Sequence, residues 1–197
     1  MELERYIYKD LLRHLLKDFS TTHTITSLAK KLKMSRVGMW KLLKKLEKTK
    51  YLNLTPVGVG KTSIYTVALK WDNIIVEKAL ALYLTEESIK QRRWRVNFAE
   101  LEKEVDFLIL YGSILTSPKQ ADDIDLLVIA KKNKFLKIQN ILDKIQKTEN
   151  KKIHLIDFTS SEFKKELKNK NKAFIDAIKK GVVLFGQENF IKFMNNS

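Results

Sequence analysis

Leu3, Ile7, Leu11, Leu12, Leu15 and Leu16 recur at intervals of one, three and four, which predicts an amphipathic helix over residues 3–18 that ends near Asp18-Phe19-Ser20. Thr24-Ile25-Thr26 then offers a short extended piece and a cap, and Ser27 to Lys33 reads as a second helix burying Leu28, Ala29 and Leu32. Met34-Ser35 makes a tight turn in which Ser35 caps a third helix over 35–50. Its apolar set is Val37, Met39, Trp40, Leu42, Leu43 and Leu46, with Arg36, Lys41, Lys44, Lys45 and Lys48 left to the outer faces. Residues 51–55 and 63–69 alternate as strands do, and Pro56 to Lys61 joins them into a hairpin with a basic tip. A long apolar stretch from Ile74 to Leu84 follows, and Thr85 with Glu86 and Glu87 marks a new helix start. The next helix carries Gln91-Arg92-Arg93-Trp94-Arg95, where a packed tryptophan with arginines snorkelling around it is the preferred reading. Val105 to Tyr111 is a mostly apolar strand that runs straight into Gly112-Ser113. Leu126 to Ala130 is a second such strand, opened by Asp123-Ile124-Asp125.

Composition narrows the classes. The chain has 197 residues, no cysteine, 6 glycines and 2 prolines, with 44% hydrophobic positions, so disulfide scaffolds, Cys-based zinc sites and low-complexity linkers are excluded. No apolar run approaches the roughly 18 residues of a membrane span. The start, Met1 to Arg5, lacks the layout of a secretory signal. The expectation is a compact cytoplasmic protein with no membrane partner. The net charge of +15 is unevenly placed: residues 1–70 hold 15 Lys/Arg against 5 Asp/Glu, residues 71–100 are neutral, and residues 101–197 carry +5. The first third is therefore the part a polyanion would feel most.

Helix, short helix, turn, basic helix and hairpin, with Ser27 to Leu46 at the centre, resemble the winged helix-turn-helix domain of many prokaryotic regulators. In that family the third helix enters the major groove and the wing lies along the backbone. The resemblance implies that Ser35, Arg36, Met39, Lys41 and Lys44 face double-stranded DNA and that Lys61 sits near a phosphate. Trp40 reads as core. Winged helices also serve as protein-interaction modules, so DNA binding rests here on the local charge together with the order of elements.

The chemistry lies further along. On a strand, Asp123 and Asp125 project from one face roughly 6–7 Å apart, while Asp122 falls out of phase in the loop. Two carboxylates on one face suit a hard divalent cation that completes its shell with water and phosphate oxygens. Gly112 lets backbone approach a phosphate, and Ser113 can donate its hydroxyl and N–H to it. Together these parts suit in-line attack on a nucleotide phosphate.

Gly112-Ser113, nine residues, then Asp123-Ile124-Asp125 after a buried strand resembles the nucleotidyltransferase superfamily related to DNA polymerase beta, most closely its small minimal nucleotidyltransferases. The likeness runs from residue 104 to about 190, through a helix near Lys134 to Gln146, a strand over Lys152 to Phe158, a helix from Ser160 or Ser161, and a closing Gly181 to Gly186. It implies Mg²⁺ or Mn²⁺ at Asp123 and Asp125, a nucleoside triphosphate such as ATP at Gly112 and Ser113, and catalysis by Asp123 and Asp125. Active members usually add a third carboxylate from the neighbouring strand. Here the matching position is His154, either a general base or a satisfied buried histidine, and Asp157 alternates to the other side.

The expected fold is α+β with a mixed sheet: a winged helix-turn-helix over 1–70, a helical connector over 71–103 and a nucleotidyltransferase fold over 104–197. Two functions follow. One is an enzyme moving a nucleoside monophosphate onto a hydroxyl. The other is a DNA-binding regulator whose second domain senses a nucleotide or holds a partner. Minimal nucleotidyltransferases resemble antitoxins, which makes a HEPN-type toxin a candidate partner, and the Ile74–Leu84 stretch is a candidate surface for a homodimer.

Overall fold

The stripe Leu11, Leu12, Leu15 and Leu16 is buried as its spacing demands, on a helix α1 spanning Glu2–Lys17 in the computed structural model, which describes residues 2–58 and 64–196. Two compact units emerge, residues 1–80 and 81–197. In the first, α1 is followed by β1 (His23–Thr24), α2 (Ile25–Lys31), α3 (Arg36–Lys48), β2 (Leu52–Val57) and β3 (Ile64–Leu69). Thr24 and Ser27 cap α2 reciprocally, each side chain serving the other's backbone N–H. Ser35 caps α3 by accepting a hydrogen bond from Gly38 N.

Helical period settles which face of α3 is inside. Met39, Leu42, Leu43 and Leu46 stand at i, i+3, i+4 and i+7 and are all buried. Val37 lies off that stripe and is 66% exposed. The strands pair antiparallel in the order β1-β3-β2. Pro56 falls on the edge strand β2, where its missing N–H breaks no interior ladder. The hairpin tip, with Lys61, lies outside the described residues.

Helix α4 (Ile74–Ile89) is continuous where a fresh start at Thr85 is expected from sequence. The Thr85 hydroxyl donates back to the Ala81 carbonyl at 2.9 Å, so it is satisfied inside the helix and caps nothing. The division between units falls within α4, between Leu80 and Ala81.

In the second unit, α5 (Arg92–Asn97) precedes β4 (Phe107–Tyr111) and β5 (Asp123–Ile129), then α6 (Phe135–Gln146), β6 (Lys152–Phe158), α7 (Ser160–Lys168), α8 (Lys172–Lys180), β7 (Val182–Phe185) and α9 (Gln187–Asn195). The sheet order is β6-β5-β4-β7, with β5 and β6 parallel and the other pairs antiparallel, a mixed sheet in an α+β fold. Alternation divides its strands between two layers. Leu108, Leu110, Ile124, Leu126 and Val128 pack with Trp94, Phe98, Leu101 and the buried face of α6. On the opposite face Phe107 meets Phe163, Phe190 and Phe193. Fully burying each such ring contributes roughly 1.5–3 kcal/mol. Trp94 is core, with the Arg93 guanidinium 4.5 Å from its ring centroid and bonded at 2.9 Å to Glu149. No helix among the described residues is long and apolar enough to cross a membrane.

One ion cluster in the second unit should carry a pH-dependent contribution to its stability. Glu104, with a side chain only 9% exposed, receives Lys134 Nζ at 2.8 Å and Lys137 Nζ. Hydrogen bonds from Lys134 and then Lys137 hold its carboxyl below the usual glutamate range. A carboxyl depressed in the folded state stabilises above its unfolded value of about 4.3, and that contribution disappears as pH falls through the folded value. Glu104→Gln should therefore melt earlier than the parent at neutral pH, with the gap closing under acid; melts followed by circular dichroism along a pH series read this directly.

Candidate active site

Three consecutive backbone features precede the acidic pair: the end of β4, a turn at Gly112 and a 3₁₀ turn. Strand β4 ends at Tyr111, opposite Asp125 in the antiparallel register, and the chain leaves through Gly112 at φ +82°, ψ −166°. That combination belongs to a region only glycine occupies without strain. A side chain at Gly112 would also collide with the Asp125 carboxylate, since an added Cβ would lie 3.1 Å from its Cγ and closer still to Oδ2. Ser113 then opens a 3₁₀ turn to Leu115, and its carbonyl accepts from Ser117 N at 2.8 Å and Thr116 N at 3.0 Å. Both Gly112 and Ser113 are exposed.

Strand β5 presents Asp123 and Asp125 on the face shared with Tyr111, while Ile124 between them is buried in the other layer. Asp122 is exposed and precedes the strand. The parallel partner β6 sets Asp123 beside Lys152 and Asp125 beside His154. His154 is consequently no buried histidine. It is 41% exposed, and its Nδ1 stands 3.6 Å from Asp123 Oδ2 and 3.7 Å from Asp125 Oδ1. Asp157 registers with Val128, in the opposite layer, so β6 supplies an imidazole and no carboxylate to this face.

Burial pushes the Asp125 carboxyl above the usual aspartate range. Attraction to His154 opposes this and the like charge of Asp123 reinforces it. Burial, followed by the Asp125 charge, also raises the Tyr111 phenol. Tyr111 is thus part of the site, and the residue that sequence reading missed; strand parity was the signal, because an odd-numbered position on β4 shares its face with Asp125. The donor set fits a divalent cation. Two carboxylates suit Mg²⁺ or Mn²⁺, and an imidazole nitrogen within reach is better matched to Mn²⁺ than to Mg²⁺.

Of the other sequence-derived residues, Arg36, Met39, Lys41 and Lys44 lie on α3 of the first unit and Ser35 is its N-cap. Arg36 and Lys41 are exposed on it, as is Ser35, whose hydroxyl is engaged in the cap. Lys44 is exposed but pairs with Glu47 at 2.8 Å and sits 4.9 Å from the Trp40 ring centroid. Met39 does not face outward at all: it lies on the buried stripe, and the expectation that it contacts DNA is corrected by the helical period.

No curated protein and no solved structure matches the chain. Residues 96–189, which include Tyr111, the Gly112-Ser113 turn, Asp123, Asp125 and His154, match the family model described as Polymerase beta, Nucleotidyltransferase.

Proposed function

We propose that the protein transfers a nucleoside monophosphate from a nucleoside triphosphate, such as ATP, to a hydroxyl acceptor, and that its first unit is a winged helix-turn-helix that binds double-stranded DNA. The observation that carries the enzymatic reading is the convergence of Asp123, Asp125 and His154 on one sheet face beside the Gly112 turn. Asp123 and Asp125 hold the divalent cation, Mg²⁺ or Mn²⁺, which supplies neutralisation of phosphate charge when bound. Gly112 and Ser113 present backbone N–H and hydroxyl donors to the triphosphate. His154 accepts the proton of the acceptor hydroxyl at a ring nitrogen as its oxygen bonds to the α-phosphorus and pyrophosphate departs. Incubation with labelled ATP, Mg²⁺ or Mn²⁺ and protein, RNA and small-molecule hydroxyl acceptors tests this; metal-dependent label transfer is expected, and its absence from every acceptor with both metals counts against it.

A second reading, a DNA-binding regulator of antitoxin type with a HEPN-type toxin as partner, is supported by one feature: the residue of β6 beside Asp125 is His154 and not a carboxylate. ATP binding without label transfer, together with binding to the DNA upstream of its own gene, would select it. Both readings share the DNA-binding unit, supported by the net charge of +10 on residues 1–70 and the exposed Arg36 and Lys41 on α3. Arg36→Ala/Lys41→Ala should weaken binding and lower the slope of log affinity against log salt by about 2, one unit per phosphate contact. Gel shifts at graded salt measure this, and an unchanged slope removes these two side chains from the interface.

A further inference from the structure

The protein has three histidines, and two of them meet an aspartate far from the acidic pair in sequence and within the first unit. His14 lies in the last turn of α1 and Asp18 one turn later, where Asp18 N bonds the His14 carbonyl at 2.9 Å, so the two side chains share a helical face. The chain then reverses and brings His23, on β1, back onto them. One ligand atom from each of His14, Asp18 and His23 lies within 4.8 Å of the others. The His14 and His23 rings meet edge to face at 5.1 Å.

We propose that His14, Asp18 and His23 form a second, independent metal site, for a zinc-class divalent cation. Two imidazoles and one carboxylate, with no sulfur, suit Zn²⁺, Co²⁺ or Ni²⁺ and are poorly matched to Mg²⁺. With bonds of about 2.0–2.1 Å, ligand atoms around a tetrahedral Zn²⁺ stand about 3.3 Å apart, a contraction that side-chain rotation can supply. The surrounding hydrogen bonds are those a metal site needs. His23 is buried, and its Nε2 can only donate to the Asp18 carbonyl oxygen, 2.9 Å away, so the tautomer is fixed and Nδ1 is the ring nitrogen able to ligate a cation. Thr21 Oγ1 donates to Asp18 Oδ1 at 2.8 Å, while Oδ2 faces His14 Nε2 at 3.9 Å. Three protein ligands leave the fourth position to water.

The site's position gives it a consequence. Asp18 and His14 belong to the end of α1, and His23 precedes Thr24, the cap of α2, on a strand paired with β3. A bound cation therefore clips α1 to the turn that starts α2.

The test uses the untagged full-length chain, stripped with a chelator and titrated with Zn²⁺ against a chromophoric competitor, beside Asp123→Asn/Asp125→Asn, His14→Ala and Asp18→Asn. Asp18→Asn keeps the oxygen that receives the Thr21 hydroxyl, so it guards against simple misfolding, and far-ultraviolet circular dichroism verifies both unit-one variants. The expected result is one tightly held Zn²⁺ in the parent and in the Asp123/Asp125 variant, with affinity falling at least about tenfold in His14→Ala and Asp18→Asn. Co²⁺ should give the visible absorption of a four-coordinate N/O site in the parent and not in those two variants. The proposal is overturned if the chain retains no Zn²⁺ against the competitor, which would leave a plain His14–Asp18 ion pair. Uptake that disappears with the acidic pair, or survives unchanged in both His14→Ala and Asp18→Asn, overturns it equally.

Discussion

Asp123→Asn/Asp125→Asn is expected to lose metal-dependent nucleotidyl transfer by at least about a hundredfold, the scale on which removal of a preorganised electrostatic group reduces turnover. Both carboxylates face His154 Nδ1 at 3.6 and 3.7 Å, and no carboxylate of β6 stands ready to replace them. The fold should not suffer. Asp125 is held partly buried next to a like charge, a combination that raises its carboxyl, so the neutral amide removes a repulsion and the melting temperature should stay level or rise. Loss of transfer with a level or higher melting temperature is the signature of a site built for a cation. Equal labelling by the double variant would sink the catalytic role. His154→Gln isolates what the imidazole contributes: a fall in kcat at constant KM for ATP fits proton transfer from the acceptor, whereas a rise in KM alone fits ground-state binding.

Gly112→Val should damage both stability and activity. The backbone at φ +82°, ψ −166° is in the glycine-only region, where another residue costs of order 1–3 kcal/mol, and the new side chain is driven into Asp125. At about 3 kcal/mol the melting temperature of a unit this size falls by of order 10 °C. Transfer should drop along with it, because relief of the collision requires the carboxylate or the turn to move. Ser113→Ala is the contrast, removing one hydroxyl with no backbone demand and leaving the melting temperature near the parent's. A Gly112→Val chain with the parent's melting temperature and labelling would mean that the turn can be rerouted at no cost.

Much of this site was legible because strand parity is simple. Side chains alternate, so Asp123 and Asp125 had to share a face with Ile124 opposed, and the placement of His154 followed from one parallel register. The same rule reaches Tyr111, but only once β4 and β5 are known to pair with Tyr111 opposite Asp125, which is a tertiary fact. On α3 the apolar residues alone were ambiguous: the same short helix contains both Val37 and Met39, and only the buried i, i+3, i+4, i+7 set decides that the valine faces out and the methionine in. Thr85 followed by two glutamates has the local chemistry of a helix start, yet continuing α4 satisfies its hydroxyl on the preceding turn, and propensity gave way. The His14, Asp18 and His23 cluster left no trace as a motif, because it depends on the turn between α1 and β1 rather than on regular spacing.

The continuity of α4 bears on how the protein can be dissected. Asn73 accepts from Ile75 N at one end of the helix and donates to the Lys50 carbonyl, while Ser88 near the other end donates to the Leu184 carbonyl. A cut at the division itself would leave Ile74–Leu80 on one fragment and Ala81–Ile89 on the other, each shorter than the roughly 12–15 residues at which an isolated helix becomes marginal in water. Each would also carry buried leucines, Leu80 or Leu84, on a frayed end. Fragments that overlap, each retaining all of Ile74–Ile89, are the rational truncations for producing either half alone.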